Sequence, residues 1–358
     1  MNNVLIFLFC VLVPSLSHSA TVSMTAKYRE AANVFVIMDC VSGWWEGTFC
    51  NDDGAYQKEW LKRFGISSED KDLFSKYDAL RQRYYKGLGA PKDESGPSSD
   101  GIFAKKASIS EDLIAPAFYS SDKLEVALEK LSFKVSKGDL VFLKSFYDRF
   151  KPRYTKLLEE SLPFKKKAAE LNRKLSNKKY VNFFSKIAGY YSVSESLRYE
   201  VLFTWYPPLD KDFAFPIDRF LVLNRNPIKH IDWDSEDIVF HEIVHTLSVR
   251  QPQKQKESIS KVFLELCPIE AKFPQGHKTR LLEEPMAVAV GQTLFLKTFF
   301  PERVKWNSKF YNNHWISTFS KLIYPVIENE FKQGSRFSTE TGKKLGFLCN
   351  ELVQASGF

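Results

Sequence analysis

The sequence contains few of the residues that most often bind metals or form disulfides, and it lacks the usual nucleic-acid motifs. Of its 358 residues, six are histidine and five are cysteine. No two cysteines have the CxxC spacing that is typical of structural zinc and redox sites. We find no internal repeat, no zinc knuckle, no glycine-rich single-strand motif and no aromatic pair in a basic strand. The sequence therefore predicts no binding to nucleic acid.

The composition is that of a globular protein with a basic surface. Hydrophobic residues make up 44% of the chain and charged residues 26%, which is typical of soluble proteins. The length allows one large domain or two ordinary ones. The net charge of +8 favours contact with an anionic surface such as that of a cell envelope, although a solvated lysine-rich surface would give the same charge. The most basic stretch, residues 164–180, is expected to be an exposed helix face carrying Lys165, Lys166, Lys167, Lys178 and Lys179.

Residues 1–20 are typical of a secretory signal peptide. The apolar run at positions 4–13 has the length of a signal core and is too short to span a bilayer comfortably. Pro14 ends this run, and small residues just after it allow cleavage near Ser19 or Ala20. The first three residues carry no lysine or arginine, which is a weak feature for a signal. We expect an exported protein, periplasmic or secreted, with an uncleaved anchor as the alternative.

Cleavage at this place would leave an even number of cysteines in the exported chain. They are Cys40, Cys50, Cys267 and Cys349, and in an oxidising compartment they allow two disulfides in three possible pairings. A Cys40–Cys50 bond would close a short loop, and a Cys267–Cys349 bond would tie two late helices together. Buried free thiols are the alternative.

The order of the predicted elements indicates an α+β protein that is predominantly helical. Residues 21–185 form a charged, helical N-terminal region of unknown role, with helices expected from 67 to about 85, at 121–131 and at 137–162. β-Branched and aromatic residues then predict strands at 199–206 and 220–223. Helices follow at 235–250, 257–266, 282–300, 316–331 and 338–353, so residues 186–358 are expected to be a second domain with a small sheet.

The motif His241-Glu242-Ile243-Val244-His245 carries the strongest functional signal. Two histidines four residues apart lie on the same face of a helix and can bind one metal ion. The glutamate beside the first histidine can then take a proton from a water that the metal activates. This HExxH pattern is typical of zinc-dependent hydrolases. A surface helix with two solvated histidines is the alternative.

Local signals predict that the motif is helical. Asp234 is a suitable N-cap, and Glu236 and Asp237 fall in the first turn, where the helix dipole favours negative charge. Apolar residues cover the side opposite to the histidines, which leaves the histidine side free to face a cavity. These apolar residues are Val239, Phe240, Ile243, Val244 and Leu247.

A catalytic zinc ion usually has three protein ligands, so a third must come from elsewhere. In the third-histidine pattern, glycine and histidine follow the second histidine by three and six residues. Ser248 and Gln251 occupy those positions here, which excludes that pattern. The acidic pair Glu283-Glu284 is the best remaining source, although two acidic residues would also suit the start of a helix.

The motif together with Glu284-Pro285-Met286-Ala287 resembles the gluzincin type of zincin metallopeptidase. The resemblance covers about residues 199–300. It implies a zincin-like domain with one Zn²⁺ per chain, bound by His241, His245 and Glu284, with Glu283 as the alternative third ligand. It also implies that Glu242 is the general base for hydrolysis of a peptide or protein substrate. Pro285 requires Glu284 to lie in the first turn of its helix or at a kink.

Other expected features of such a site are less specific in this sequence. In the thermolysin-like branch an aspartate orients one histidine, and Val288 stands at that position, so this role is unfilled or is filled elsewhere. The oxyanion would need a donor, for which Tyr311, His314, Tyr324, His277 and Arg280 are candidates. Either predicted strand, 199–206 or 220–223, could form the edge that binds an extended peptide.

Two other interpretations remain open at this point. The chain could be a catalytically inactive zinc-binding protein of the same fold that acts as an extracytoplasmic binding or assembly factor. It could also be a helical interaction protein in which the motif arose by chance. The presence of Glu242 argues against the first of these, because a protein that only binds has no need of a base.

Overall fold

The computed structural model describes residues 20–44, 50, 54–85, 102–103, 112–208, 213–228, 236–267 and 279–356. Nearly all of the predicted signal peptide, the proposed N-cap Asp234 and the candidate donor His277 lie outside these residues. The architecture is the predicted one, a predominantly helical α+β fold with a small sheet and a helical N-terminal region.

The sheet has four strands in the order β1-β2-β4-β3. Strands β1 (Val22–Lys27), β2 (Leu197–Trp205) and β4 (Phe220–Arg225) are parallel neighbours, and β3 (Phe213–Ile217) pairs antiparallel with β4. The sequence predicted β2 and β4 within two residues at each end. It did not predict β1 or β3, which form the two edges.

Helices occupy most of the remaining described chain. The first half contains α1 (Glu30–Ser42), α2 (Ala55–Phe64), α3 (Ser68–Tyr84), α4 (Ala115–Tyr119), α5 (Leu124–Leu131), α6 (Lys137–Ser161), α7 (Phe164–Leu175) and α8 (Lys178–Tyr190). The second half contains α9 (Glu236–Arg250), α10 (Gln253–Leu266), α11 (Thr279–Met286), a π-helix (Ala287–Leu294), α12 (Phe295–Phe299), α13 (His314–Lys332) and α14 (Thr339–Ser356). The predicted helix 282–300 is thus three consecutive helical segments.

The sheet separates two hydrophobic cores. Alternate residues of a strand point to opposite faces, so Leu202 and Val222 pack with helices α1 to α6, whereas Val201 and Leu221 pack with α7 to α9 and the later helices. Strand β1 belongs to the second of these cores. The predicted boundary at residue 185 falls within α8, and residues from both sides of it share one sheet.

The structure selects one of the three disulfide pairings that the sequence left open. Cys40 is bonded to Cys50, and Cys267, at the end of α10, is bonded to Cys349 of α14. Two disulfides indicate an extracytoplasmic protein. Within the described ranges, no helix combines the length and apolar character that crossing a membrane requires.

The basic stretch around α7 and α8 is exposed, as predicted. Lys165, Lys166, Lys178 and Lys179 are exposed, while Lys167 is partly buried and forms an ion pair with a glutamate of its own helix. Contact with an anionic envelope surface stays a prediction.

A buried ion cluster holds the N-terminal core together. Arg81 of α3 is fully buried, and its guanidinium lies 3.0 Å from Asp39 of α1 and 2.6 Å from Asp112. The hydroxyl of Tyr77 donates to Asp39 over 2.7 Å. The cluster therefore pairs one buried cation with two carboxylates that come from different parts of the chain.

Candidate metal centre

The HExxH motif lies in the middle of α9, as the acidic first turn and the apolar face predicted. Glu236 and Asp237 form the first turn of this helix. The predicted apolar side is buried in the core through Val239, Phe240, Ile243, Val244 and Leu247. Lys174 of α7 also fixes the start of α9, with its Nζ 2.7 Å from Glu236 Oε1. Core packing and an ion pair thus hold the helix that presents both histidines.

Three side chains converge at this place on α9. The Nε2 atoms of His241 and His245 lie 3.1 Å apart. Glu284 of α11 faces both of them, with one carboxylate oxygen 3.5 Å from His241 Nε2 and the other 3.4 Å from His245 Nε2. These three residues form a group that could hold one metal ion. Of the two glutamates left open by the sequence, Glu284 is the one that joins the histidines.

The spacing of the three groups is compatible with one shared metal ion. Zinc bonds of about 2.0–2.2 Å in tetrahedral geometry place neighbouring ligand atoms roughly 3.3–3.6 Å apart. The two Nε2 atoms lie 3.1 Å apart, and each lies 3.4–3.5 Å from a different oxygen of Glu284. With one ligand atom taken from each residue, the three atoms lie within 4.8 Å of one another. Imidazole nitrogens and a carboxylate are also the donor types that a catalytic zinc ion takes.

Glu283 has a separate position from Glu284. Its Oε1 lies 3.0 Å from Nδ1 of His245, the nitrogen on the far side of the ring from Nε2. Its carboxylate is nearly fully buried. A carboxylate at this nitrogen fixes the ring orientation and the tautomer in which Nε2 can bind a metal. The orienting role that Val288 cannot supply is therefore filled by the residue before Glu284.

The charges around the histidines favour a cation. Burial alone would lower the pKa of His245, but the carboxylates of Glu284 and Glu283 outweigh burial and raise that pKa to about 10. Burial alone would raise the pKa of Glu284, but His245 and His241 lower it to about 2. Burial raises the pKa of Glu242, and the nearby histidines offset part of this rise. A metal ion would satisfy the same carboxylates that otherwise retain a proton on His245.

The helix that carries Glu284 changes its geometry directly after it. Glu284 lies well inside α11, with Pro285 next to it, and the π-helix starts at Ala287. Proline cannot donate a backbone hydrogen bond, and wider π-turns are common where a helix contributes to a functional site. The sequence allowed Glu284 to lie either in the first turn of its helix or at a kink. In the structure it lies near the end of α11, where the regular helix gives way to the π-helix.

Close contact between this π-helix and α9 depends on Gly291. A Cβ atom at Gly291 would lie 2.6 Å from the carbonyl oxygen of Phe240 and 2.7 Å from the Cα of His241. Only a residue without a side chain allows the two backbones to approach this closely. Gly291 thus sets the distance between α9, which supplies the histidines, and the π-helix that directly follows α11.

Replacing Gly291 with alanine should weaken zinc binding and lower the free energy of unfolding by about 1–3 kcal/mol, because the backbones must separate. Zinc titration and chemical denaturation would measure the two effects. Gly189→Ala is the matched control, since a Cβ there meets nothing within 4 Å in helix α8. Equal zinc affinity in Gly291→Ala and wild type would show that this contact does not position the histidines.

Of the three residues, His241 borders a cleft of about 660 Å³. His241 and Glu242 form part of its wall, and Glu242 is only 8% exposed. The described lining residues are Phe213, Ala214, Leu223, Arg225, Ile238, His241, Glu242, Arg280, Gln292, Phe310, Tyr311, Asn312, Asn313 and Ile316. The edge strand at the cleft is β3, whereas both strands that the sequence suggested for this role lie inside the sheet.

Among the candidate oxyanion donors that the sequence left open, the structure brings Tyr311 to the site. It lines the cleft, its ring stacks 6.1 Å from that of His241, and its hydroxyl is hydrogen-bonded to Glu284. Burial and the charges of Glu284 and Glu242 raise the pKa of Tyr311, so the hydroxyl keeps its proton at physiological pH. Arg280 also lines the cleft.

The other described candidates lie elsewhere. Tyr324 donates to Glu328 over 3.0 Å, and His314 begins α13. Neither is among the described residues that line the cleft.

Comparison with protein-family models, curated proteins and solved structures finds no match to this chain. The functional assignment therefore depends on the geometry of the site.

Proposed function

We propose that this chain is an exported zinc-dependent metallopeptidase that hydrolyses peptide bonds. The observation that supports this most is the convergence of the His241, His245 and Glu284 donor atoms, which lie within 4.8 Å of one another, beside Glu242. The two disulfides are consistent with export, and we propose that residues 1–20 are the signal peptide, cleaved near Ser19 or Ala20.

Each residue of the site has a distinct chemical role in this proposal. The zinc ion, when bound, would polarise the substrate carbonyl and acidify the attacking water. Glu242 lines the cleft beside the histidines, so it is placed to accept the proton of that water and pass it to the leaving amine. The protonated hydroxyl of Tyr311 would donate to the carbonyl oxygen as negative charge develops there.

The free edge of β3 would bind the substrate backbone. A proline is tolerated in a sheet where its nitrogen, which has no hydrogen to donate, faces away from the neighbouring strand. We infer that the backbone nitrogen of Pro216 faces away from β4. Ala214 lies two residues earlier and has the same orientation, which directs its N–H and C=O away from β4. Because Ala214 also lines the cleft, a peptide could pair with it as an additional strand.

An inactive zinc-binding protein remains the second interpretation, and Glu242 distinguishes the two. Binding alone would not require a carboxylate with a raised pKa directly beside the metal ligands. Burying the Glu242 carboxylate is unfavourable for the free energy of folding, and a catalytic role would explain why it is buried here.

Metal analysis of the purified protein tests the proposed site. We expect close to one zinc ion per chain, and its loss in Glu284→Ala because only two ligands remain. Glu283→Ala should retain zinc but bind it about 10- to 100-fold more weakly, because His245 loses its orienting carboxylate. Mass spectrometry of the metal and a competitive chelator titration would measure both effects.

A peptide library completes this test. Zinc-loaded wild type should hydrolyse peptides, and chelation should stop the reaction. Sub-stoichiometric zinc that is unchanged in Glu284→Ala would refute the metal site. Stoichiometric zinc with no hydrolysis of any peptide would favour the binding protein instead.

A further inference from the structure

The turn between α5 and α6 carries the most exposed large apolar side chain among the described residues. Phe133 is 92% exposed, and the next in order, Ile228, is 68% exposed. Single exposed apolar residues are common on protein surfaces, so exposure alone assigns no role to Phe133. This residue differs from the others because the turn holds it in place and surrounds it with positive charge.

Hydrogen bonds fix the backbone of the turn. The carbonyl oxygen of Leu131 accepts from the N–H of Lys134 over 2.8 Å and from the N–H of Val135 over 3.1 Å. The side chain of Leu131 is fully buried in the N-terminal core, so the chain is anchored two residues before Phe133. The backbone therefore directs the ring of Phe133 outward.

The start of α6 fixes the other side of the turn. Ser136 caps this helix, because its side-chain oxygen accepts from the N–H of Asp139 over 3.1 Å. The N–H of Ser136 donates to the hydroxyl of Tyr84 over 2.8 Å, and that hydroxyl donates to Asp139 over 2.8 Å. A group on a rigid turn loses little conformational entropy when it binds a partner, so Phe133 is well placed to insert into one.

Positive charge surrounds Phe133. Residues 130–138, which we call the basic turn, contain no acidic residue and three exposed lysines, Lys130, Lys134 and Lys137. Asp139 follows directly, but its carboxylate forms an ion pair with Arg83 of α3, 2.5 Å away. The basic turn thus presents one aromatic ring within a cationic rim.

Helix α5 continues this surface. Val126 is exposed and precedes Phe133 by about two helical turns, so it extends the apolar surface along the helix. Glu129 is also exposed and lies one turn before Phe133, where its charge opposes the lysines. Three lysines stand against this one carboxylate, so the charge of the surface remains positive.

We propose that the basic turn docks this protein on an anionic lipid surface. At such a surface an aromatic ring enters the apolar boundary, while lysines keep their ammonium groups among the headgroup phosphates. A protruding ring with a cationic rim fits a fluid lipid surface, whereas a protein partner would need a matching pocket and a contact area of about 1,000 Å² or more. This inference is independent of the proposed peptidase function.

The expected binding is weak and reversible. Burial of one phenylalanine ring contributes about 10- to 100-fold to an association constant, and each lysine near an anionic surface contributes about 5-fold. One ring and three lysines together give about 10³ to 10⁴ M⁻¹, which is comparable with the effect of a single myristoyl chain. Binding should therefore be measured at about 1 mM lipid.

Vesicle sedimentation of the chain without its proposed signal peptide tests this inference. Vesicles of phosphatidylcholine alone would be compared with vesicles of phosphatidylcholine and phosphatidylglycerol in equal parts. We expect binding to the anionic vesicles only, and weaker binding as salt rises. Phe133→Ser should weaken binding about 10- to 100-fold. Lys134→Gln combined with Lys137→Gln should weaken it about 25-fold, whereas Glu129→Gln should strengthen it because an opposing charge is removed.

The opposite end of α6 supplies matched controls. Leu162 is exposed there and is followed by two exposed lysines, Lys165 and Lys166. The 25 residues of α6 separate this place from the basic turn by about 37 Å. Leu162→Ser and the double variant Lys165→Gln with Lys166→Gln remove the same kinds of group, and both should bind nearly as wild type does.

Several results would overturn the docking surface. They are no sedimentation of wild type with anionic vesicles, equal binding by Phe133→Ser and wild type, or equal weakening by both lysine pairs, which would indicate adsorption through overall charge. All substituted side chains are exposed, so thermal melts should show unchanged unfolding midpoints. Because the vesicle assay involves neither zinc nor peptide, a failure of the proposed function leaves its result unchanged.

Discussion

Replacing Glu242 with glutamine should abolish detectable peptide hydrolysis and leave the zinc content unchanged. Glutamine has nearly the same shape but cannot accept a proton, so the water keeps its proton and the leaving amine receives none. A positioned general base contributes about 10²- to 10⁴-fold to the rate, and a loss of this size is expected in kcat. Cleavage of a fluorogenic peptide, with zinc measured on the same samples, would check both parts.

The result can be assigned to Glu242 because the substitution is isosteric and removes no metal ligand. Glu265→Gln is a suitable control, since Glu265 is exposed on α10 and should show wild-type turnover. Turnover equal to wild type in Glu242→Gln would refute this mechanism even if zinc is present. Loss of zinc together with activity would instead show that Glu242 helps to hold the metal.

Replacing Arg81 with methionine should destabilise the N-terminal core by about 3–5 kcal/mol, because two buried carboxylates lose their cation. Burial already raises the pKa of Asp39 to about 6, although Arg81 and Tyr77 both act to lower it. Denaturant unfolding followed by circular dichroism would measure the loss. Arg83→Met on the same helix is the matched control, since its ion pair with Asp139 is exposed and should contribute about 0–1 kcal/mol.

The Arg81→Met loss should depend on pH in a defined direction. Without Arg81, the pKa of Asp39 in the folded protein would rise further above the ordinary aspartate value near 3.8, and the pKa of Asp112, which Arg81 now holds below that value, would rise above it. The folded state then binds more protons than the unfolded state, so stability falls as pH rises through the raised pKa values. The variant should lose less stability at pH 5 than at pH 8. A loss that is independent of pH would contradict this account.

Local sequence signals were sufficient for the parts of the site that lie within one helix. The spacing of His241 and His245, the acidic first turn and the apolar face predicted α9, and family resemblance added Glu284. The role of Glu283 was not predicted, because it depends on which nitrogen of His245 faces α11. Gly291 could not be recognised either, since its importance comes from the backbone of a helix about fifty residues earlier in the chain.

The missing strands have a similar explanation. Strand β3 is short and contains Pro216, which is a poor strand signal, and its pairing with β4 is what orders it. Strand β1 pairs with residues far along the chain, so nothing near it indicates a sheet. Arg225 was assigned no role for the same reason, because only the folded sheet places it at the cleft. The even cysteine count allowed two disulfides but left three pairings open, and only the fold brings Cys267 next to Cys349.

The pairing of residues 22–27 with residues 197–202 also constrains when this protein can fold. Contacts between distant parts of a chain form slowly, because a long loop must close before any pairing is gained. During synthesis the sheet cannot be completed until β4 has emerged, and α9, which packs beneath it, follows later still. If the proposed signal peptide directs export before the sheet is complete, the candidate metal centre would assemble only after the chain has crossed the membrane.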